Sequence, residues 1–390
     1  MTAASDTPAS SAATMGTAAG GPGRITISVD AMGGDRGPAA VVAGLALSAD
    51  RNPDISFILH GDKAALAALV ARRPVLAGRC EIRHAEGVVT MNDKPAQVLR
   101  SGRNSSMASA IEAVRAHQAE VAVSCGNTGA LMVLSMTRLK KIEGVKRPAI
   151  ACYWPSRNPQ GYNVLLDVGA DVRADAPDLL QYALMGASYA RSSLGVERPR
   201  VGLLNVGTEE HKGSSTIKAA AELLAGAQAA GKFAFVGNVE GSDIPSDKAD
   251  VIVTDGFTGN VALKTAEGTA RLFKDFFGEA FRSTPFARLG ALLAYRQIKS
   301  LISRTDPRHV NGGVFLGLNG TVVKSHGAAD ATGIAAAVNL AFDLARHDFN
   351  QRLAHRLASV EAPPHAVAAP EKPPEDPTGR SPEKPQEGNP

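Results

Sequence analysis

The feature that most constrains this chain is an alternation: short β-branched runs are separated by Ala- and Leu-rich stretches of helical length. ITISVD, ISFILH, CEIRHA, VAVSC, NVLLDVG, RVGLLNVG, FAFVGNV, DVIVTDG and GVFLGL read as strands. Helical patterns occupy 38–49, 62–71, 105–117, 129–140, 175–193, 214–230, 260–281 and 328–346. Strand and helix in turn predict a mostly parallel sheet covered on both faces, a three-layer α/β/α sandwich. GLNGTVV places Asn319-Gly320 between two apolar runs, which predicts an antiparallel hairpin on that sheet. Ligands of such sheets sit beyond the carboxyl ends of the strands.

Composition bounds the folded unit. Residues 1–23 are almost all Ala, Ser, Thr, Gly and Pro, with Met1, Met15 and Asp6 as the exceptions, a composition that buries too little to order itself. Residues 361–390 hold nine prolines among Glu and Lys and read as a second disordered tail. The domain is therefore placed at 24–360. Its size is ample for one large α/β unit, since 44% of the 390 residues are hydrophobic. A net charge of +4 and 5% aromatics argue against a dedicated nucleic-acid binder. Cys80, Cys125 and Cys152 form no C-x-x-C pair, which fits a reducing compartment and offers no zinc site. No Lys or Arg precedes Arg24, so a secretory signal is not expected, and no apolar run approaches spanning length. A cytoplasmic protein is the expectation.

The chemistry gathers in glycine-bearing turns at strand ends: DAMGGDRG, SCGNTGA, DVGAD, VGTEEHKG, TDGFTGN and KSHGAAD. A parallel sheet would align them along one edge, where they can converge. CGNTGALM and DGFTGNVA share G-x-T-G between an apolar strand and an apolar helix. Such a loop can cradle an anion through backbone N–H groups, a threonine hydroxyl and a helix N-terminus. Thr128 and Thr258 are equally able to be plain helix caps; Asn127 and Asn260 can add side-chain amides. Lys212 is a mobile cation for phosphate, beside His211. Asp30, Asp35, Asp167, Asp171 and Asp255 stand at strand ends, able to hold a metal or hydroxyl, orient a lysine or cap a helix. Capping is the default for Asp35, just before Pro38. Cys125 is either a nucleophile at a helix N-terminus or, more often for such residues, a small buried one. No metal-binding spacing and no G-x-S-x-G elbow are present.

Residues 271–308 carry eight basic residues against three acids, and five of the chain's twelve phenylalanines lie between Phe273 and Phe286. Phe273, Phe276, Phe277, Leu289, Leu292 and Leu293 follow helical spacing, with Arg282 among the basic residues. Such a segment can lie on an anionic membrane, grip a fatty chain or dock an acidic protein. The plain alternative is a core or dimer helix.

Taken in order, DAMGGD, SCGNTGALM, LLDVGAD, NVGTEEHKG, TDGFTGNVALK and GLNGTVVKSHG resemble the bacterial phosphate acyltransferases over roughly residues 25–346. That family converts acyl-carrier-protein thioesters to acyl phosphates for phospholipid synthesis. The resemblance implies an isocitrate/isopropylmalate dehydrogenase-like sandwich and a homodimer at the inner membrane face. It implies acyl carrier protein as donor and a membrane glycerol-3-phosphate acyltransferase as consumer of the product. No metal or organic cofactor is implied.

On this reading phosphate is the nucleophile, and the protein supplies positioning and oxyanion stabilisation. Lys212 and Asn260 are expected at the reaction centre. Gly33, Gly34, Asn127, Thr128, Gly129, Thr258 and Gly259 are expected to cradle substrate, with Asp30 and Asp255 orienting donors. His211 and His326 are candidates for proton handling. Three rivals stay open: a coenzyme A thioester donor, an NAD-dependent dehydrogenase and a non-catalytic carrier or lipid scaffold. The absent G-x-G-x-x-G counts against the second.

Overall fold

A computed structural model describes residues 23–297 and 312–359. Apart from residue 23, both proposed tails lie outside the described residues, as do residues 298–308 of the 271–308 segment. In chain order the elements are β1 (Ile25–Asp30), α1 (Gly37–Arg51), β2 (Ile55–Gly61), α2 (Lys63–Ala71), β3 (Cys80–His84), α3 (Pro95–Ser101), α4 (Ser106–Arg115), β4 (Val121–Ser124) and α5 (Thr128–Arg138). There follow β5 (Ala149–Pro155), β6 (Tyr162–Leu166), α6 (Ala176–Leu194), β7 (Arg200–Leu204), α7 (Ser215–Gly231), β8 (Ala234–Val239), β9 (Val251–Val253), α8 (Gly256–Arg282) and α9 (Pro285–Leu293). Last come β10 (Gly313–Leu316), β11 (Thr321–Lys324), α10 (Ala331–Arg346) and α11 (Phe349–Ser359).

All eleven strands form one sheet in the order β3-β2-β1-β4-β11-β10-β5-β6-β9-β7-β8. Most neighbours are parallel, and β10–β11 is the hairpin expected at Asn319-Gly320. The sequence hides β5: its segment, AIACYWP, is framed by Pro148 and Pro155, which read as breaks. In the fold β5 pairs antiparallel with β10 on one side and β6 on the other. The β5–β6 hairpin therefore reverses the chain, and β6, β9, β7 and β8 run opposite to β1–β4 and β11.

This reversal corrects the expected convergence along one edge. The loops after β1, β4 and β11 share one rim of the sheet. Those after β6, β7 and β9 share the other.

Helices cover both faces because the inner strands bury both sides, while the edge strands β3 and β8 are only half-buried. On one face Val41 and Leu45 of α1, Tyr182 and Met185 of α6 and Ile334 and Val338 of α10 form the core. On the other, Ile111 of α4 and Leu131 and Leu134 of α5 pack over Ala122, Val322 and Phe315. Each fully buried large apolar side chain contributes roughly 1.5–3 kcal/mol. Local signals fix the helix ends. Asp175 and Asp178 form a capping box at the start of α6, Pro177 sits in its first turn, and Gly195 ends it at φ 68°.

Candidate functional site

One register row of the sheet sets up the first rim. His60, Asp30, Ser124, Lys324, Gly313 and Cys152 are successive partners across β2, β1, β4, β11, β10 and β5. Asp30 is fully buried and accepts from the Ser106 and Ser124 hydroxyls, each at 2.7 Å. Burial raises its pKa; those hydroxyls and the Met32 N–H oppose the shift. The glycines of this rim let three loops interlock. A Cβ at Gly33 would lie 2.5 Å from Asp30 Oδ2 and 2.9 Å from Gly126. One at Gly34 would press on Cys125 at 3.2 Å. The Asp35 N–H donates to the Gly327 carbonyl at 2.9 Å, joining the β1 loop to the β11 loop.

Lys324, the last residue of β11, was not singled out by sequence. Its ammonium donates to the Ser325 carbonyl, while Asp30 and Asp35 act on it only through space. Its pKa is lowered to about 8, chiefly by desolvation and secondarily by neighbouring Lys264, against the pull of Cys125 and both aspartates. Burial pushes the Cys125 thiol up to about 11, so it is no thiolate at neutral pH.

The second rim holds Lys212 and Asn260. Gly259 packs against the Asp167 carbonyl so closely that a Cβ there has no room. Asp167 accepts from the backbone N–H groups of Ile150 (2.8 Å) and Asp171 (2.7 Å), and burial raises it to about 6 against those bonds. Asn260 is exposed one turn into α8, with Gly169 opposite: a Cβ there would lie 3.7 Å from Asn260 Oδ1. Lys212 follows β7, with Nζ 2.9 Å from Glu209; that hydrogen bond raises its pKa, so it stays an ammonium. His211 is exposed on the same loop.

The two rims are joined by α8. Asn260, Lys264 and Glu267 stand at i, i+4 and i+7, one face of a helix. Asn260 lies at the second rim. Further along, Lys264 pairs with Glu267 at 2.9 Å, and Glu267 lies 3.7 Å from His326 on the first. Burial alone would raise Glu267; His326 and Lys264 together take it down to about 2.

The structure thus separates what the sequence reading pooled. Asp30, Gly33, Gly34, Asn127, Thr128, Gly129 and His326 belong to the first rim; Lys212, His211, Asp255, Thr258, Gly259 and Asn260 belong to the second. The helix caps are Asn127 and Asp255, not the threonines. Asn127 accepts from the Ala130 N–H and donates to the Met91 and Asp93 carbonyls. Asp255 accepts from Phe257 N–H, Thr258 N–H and the Thr258 hydroxyl. Asp35 is not the cap of α1: Arg36 holds that position with no side-chain bond. The missed residues are Lys324, Lys264 and Glu267; Asp35, read as a cap, acts instead on Lys324 through space. Only the spacing Asn260, Lys264, Glu267 was visible as a signal, and it needed the sheet register to have a target.

Beyond this site, α8 and α9 carry the hydrophobic-basic segment away from the core. Phe273 and Phe276 are each 56% exposed, Phe277 55%, Leu292 71% and Leu293 78%. Arg282 is exposed on the same helix. These side chains are no core of the single chain. Among the described residues no helix is long and apolar enough to cross a membrane, and no cluster of three or more His, Cys, Asp or Glu is arranged to hold a metal ion.

Solved structures share the architecture at low identity. A phosphotransacetylase from Streptococcus pyogenes superposes with a TM-score of 0.54 at 16% identity, covering 82% of this chain and 94% of that one. A branched-chain phosphotransacylase from Enterococcus faecalis gives 0.52 at 14%, covering 83% and 99%. Sequence relatives are much nearer. A phosphate acyltransferase of Cereibacter sphaeroides is 64% identical over 355 residues, 90% of this chain and 96% of the relative. One of Dinoroseobacter shibae is 65% identical over 347 residues, 89% and 90% respectively. The family described as fatty acid synthesis protein matches residues 25–352. With loops, fold and near-complete coverage in agreement, the chain belongs to this fatty acid synthesis family, that of the bacterial phosphate acyltransferases.

Proposed function

We propose that the chain transfers a long-chain acyl group from acyl carrier protein to inorganic phosphate, giving an acyl phosphate for phospholipid synthesis. The observation that carries this reading is the second rim. There the loops after the neighbouring strands β6, β9 and β7 carry an ammonium, Lys212, paired with Glu209, and an exposed amide, Asn260, at one end of the sheet. A phosphate oxygen attacks the thioester carbonyl and forms the C–O bond. The tetrahedral oxyanion then collapses, the C–S bond breaks, and the carrier thiolate takes a proton from solvent. The protein must place a dianion and stabilise an oxyanion, which an ammonium and an oriented amide supply. His211, exposed beside Lys212 on the same loop, is the candidate for proton handling in this reading.

The exposed phenylalanines and leucines of α8 and α9 support docking on the inner face of a membrane. There the poorly soluble product would pass to a membrane glycerol-3-phosphate acyltransferase. The basic residues of the segment suit an acidic carrier protein. A homodimer and a cytoplasmic location complete the reading.

The deciding assay follows phosphate-dependent release of carrier thiol from long-chain acyl carrier protein. Equal or faster release from an acyl coenzyme A would move the assignment to that donor. Binding of carrier without any phosphate-dependent cleavage would leave a scaffold.

A further inference from the structure

The second rim holds a buried carboxylate that the reaction scheme above does not use. Asp167 follows β6 and is wholly buried. Among the described residues it makes no ion pair; the arginine of this region, Arg147, pairs with Asp171 at 3.2 Å. It caps no helix either, since Asp175 starts α6 and Asp255 starts α8. A carboxylate buried without a cation is costly unless hydrogen bonds replace its lost water. Backbone N–H groups do so here. Oδ1 accepts from Ile150 at 2.8 Å and from Gly169 at 3.2 Å, and Oδ2 accepts from Asp171 at 2.7 Å. The Ala170 N–H is shared, 3.1 Å from Oδ1 and 3.0 Å from Oδ2.

These bonds wrap residues 167–171 around one side chain and tie that loop to β5. The start of α8 then rests on the loop. The Gly256 N–H donates to the Asp171 carbonyl at 2.7 Å. A Cβ at Gly256 would lie 2.6 Å from Asp167 Oδ2, and one at Gly259 has no room against the Asp167 carbonyl. Glycines at i and i+3 therefore seat one side of the first turn of α8 on the loop. Asn260 is the next residue. Its amide stands against Gly169, where a Cβ would lie 3.7 Å from Oδ1. No hydrogen bond among the described residues holds that amide. Its direction is set by the backbone under it and the loop beside it.

We infer that Asp167 is a positioning residue: its carboxylate gathers the N–H groups of residues 169–171 into the wall that aims the Asn260 amide. The inference deepens the acyl-transfer reading and rests on it for what the amide does; the placement of the amide does not depend on that reading. Asp167 itself touches no substrate. An amide that meets an oxyanion as charge develops must be fixed beforehand, so loosening its wall lowers kcat and leaves ground-state binding in place.

The test uses the full chain. The kcat and the KM values for phosphate and acyl carrier protein are measured for the native protein, Asp167→Asn, Asn260→Ala and the double variant. The asparagine keeps the shape but turns one acceptor oxygen into a donor facing N–H groups. Asp167→Asn should lower kcat about tenfold to a hundredfold, the usual cost of an ångström-scale misplacement, with both KM values within about twofold of native. The double variant should be no slower than Asn260→Ala alone. A kcat within about twofold of native overturns the inference. So does a loss that multiplies with that of Asn260→Ala, as a merely structural defect would. Should Asp167→Asn fail to fold, Gly169→Ala disturbs the same wall from its exposed side, where φ is 134°, and the same cycle with Asn260→Ala decides. The placement is also read without turnover. In protein labelled with 15N-asparagine, the Asn260 side-chain resonance, assigned by its loss in Asn260→Ala, should shift or broaden in whichever of these two variants folds; an unchanged resonance overturns the inference. Failure of the acyl-transfer reading shows separately, as no phosphate-dependent thiol release by the native protein, and the resonance then decides the placement alone.

Discussion

Nε2 of His326, after β11, lies 3.7 Å from Oε2 of Glu267 on α8. This contact fastens a helix that begins at one rim of the sheet to a loop at the other. It makes α8 the physical link between the candidate reaction centre and the first rim. A change at either end of the helix is therefore expected at the other.

Lys212→Ala and Asn260→Ala should each lower acyl-phosphate formation by about 10²–10³, the usual effect of removing one oxyanion or dianion donor. Both side chains are at the surface, so melting temperatures should hardly move. Steady-state assays beside thermal melts check this. Near-native turnover in either folded variant would remove that residue from the centre.

Cys125→Ala should keep acyl-phosphate formation within about threefold of native, because a buried thiol held near 11 is no nucleophile at neutral pH. Alkylation of Cys125 by iodoacetamide, followed by mass spectrometry, should be slow in the folded protein. Rapid labelling with loss of activity would contradict the buried, neutral thiol.

Gly259→Ala should destabilise by about 1–3 kcal/mol, since its Cβ meets the Asp167 carbonyl and backbone must move. It should also slow turnover by displacing Asn260, the next residue. Gly226→Ala in α7 is the control: nothing lies within 4 Å of the added Cβ, and a gain of about 0.5–1 kcal/mol is expected from helix propensity. Urea unfolding compares the two, and equal effects would refute the clash.

His60 gives a pH dependence. Ser28 Oγ donates to the Ala110 carbonyl at 2.8 Å, so it accepts from His60 Nε2–H at 2.9 Å. Nδ1 is then the acceptor for Ser109 Oγ at 2.7 Å, and the imidazole is neutral. Burial, and secondarily Arg83, hold its pKa at about 3, against an ordinary 6.5. Between those values the unfolded chain takes a proton that the folded chain refuses. Its contribution is fully present above the ordinary value and is lost as pH falls toward 3, at up to about 1.4 kcal/mol per pH unit. His60→Gln should be less stable at neutral pH but flatter across this window. Parallel unfolding curves for the two proteins would count against the buried neutral imidazole.

Phe276→Ser with Phe277→Ser should abolish flotation with anionic liposomes while leaving the fold intact, because both rings are more than half exposed. Flotation equal to native would assign these rings to packing against another copy instead.

Much of the sheet was legible because its cause is local. ITISVD and RVGLL are β-branched runs ended by polar turns, and Asn319-Gly320 dictates its own hairpin. The strand AIACYWP was not legible, because flanking prolines imitate a loop and only pairing with β10 and β6 makes it a strand. That one omission concealed the reversal of the sheet. The glycine turns were found as a set, yet Gly33 and Gly259 owe their identity to neighbouring backbone and side chains that only the fold brings near.

The sequence by itself determined the alternation of strands and helices, the hairpin, the ordered series of turn motifs and hence the family. These depend on periodicity, turn chemistry and residue order, all carried within short windows. Tertiary structure alone decided which turns share a rim, that Asn127 and Asp255 rather than the threonines cap their helices, and that Glu267 of α8 meets His326 after β11. Each of those follows from strand direction and register, which bring residues far apart in the chain within a few ångströms and which no local pattern encodes.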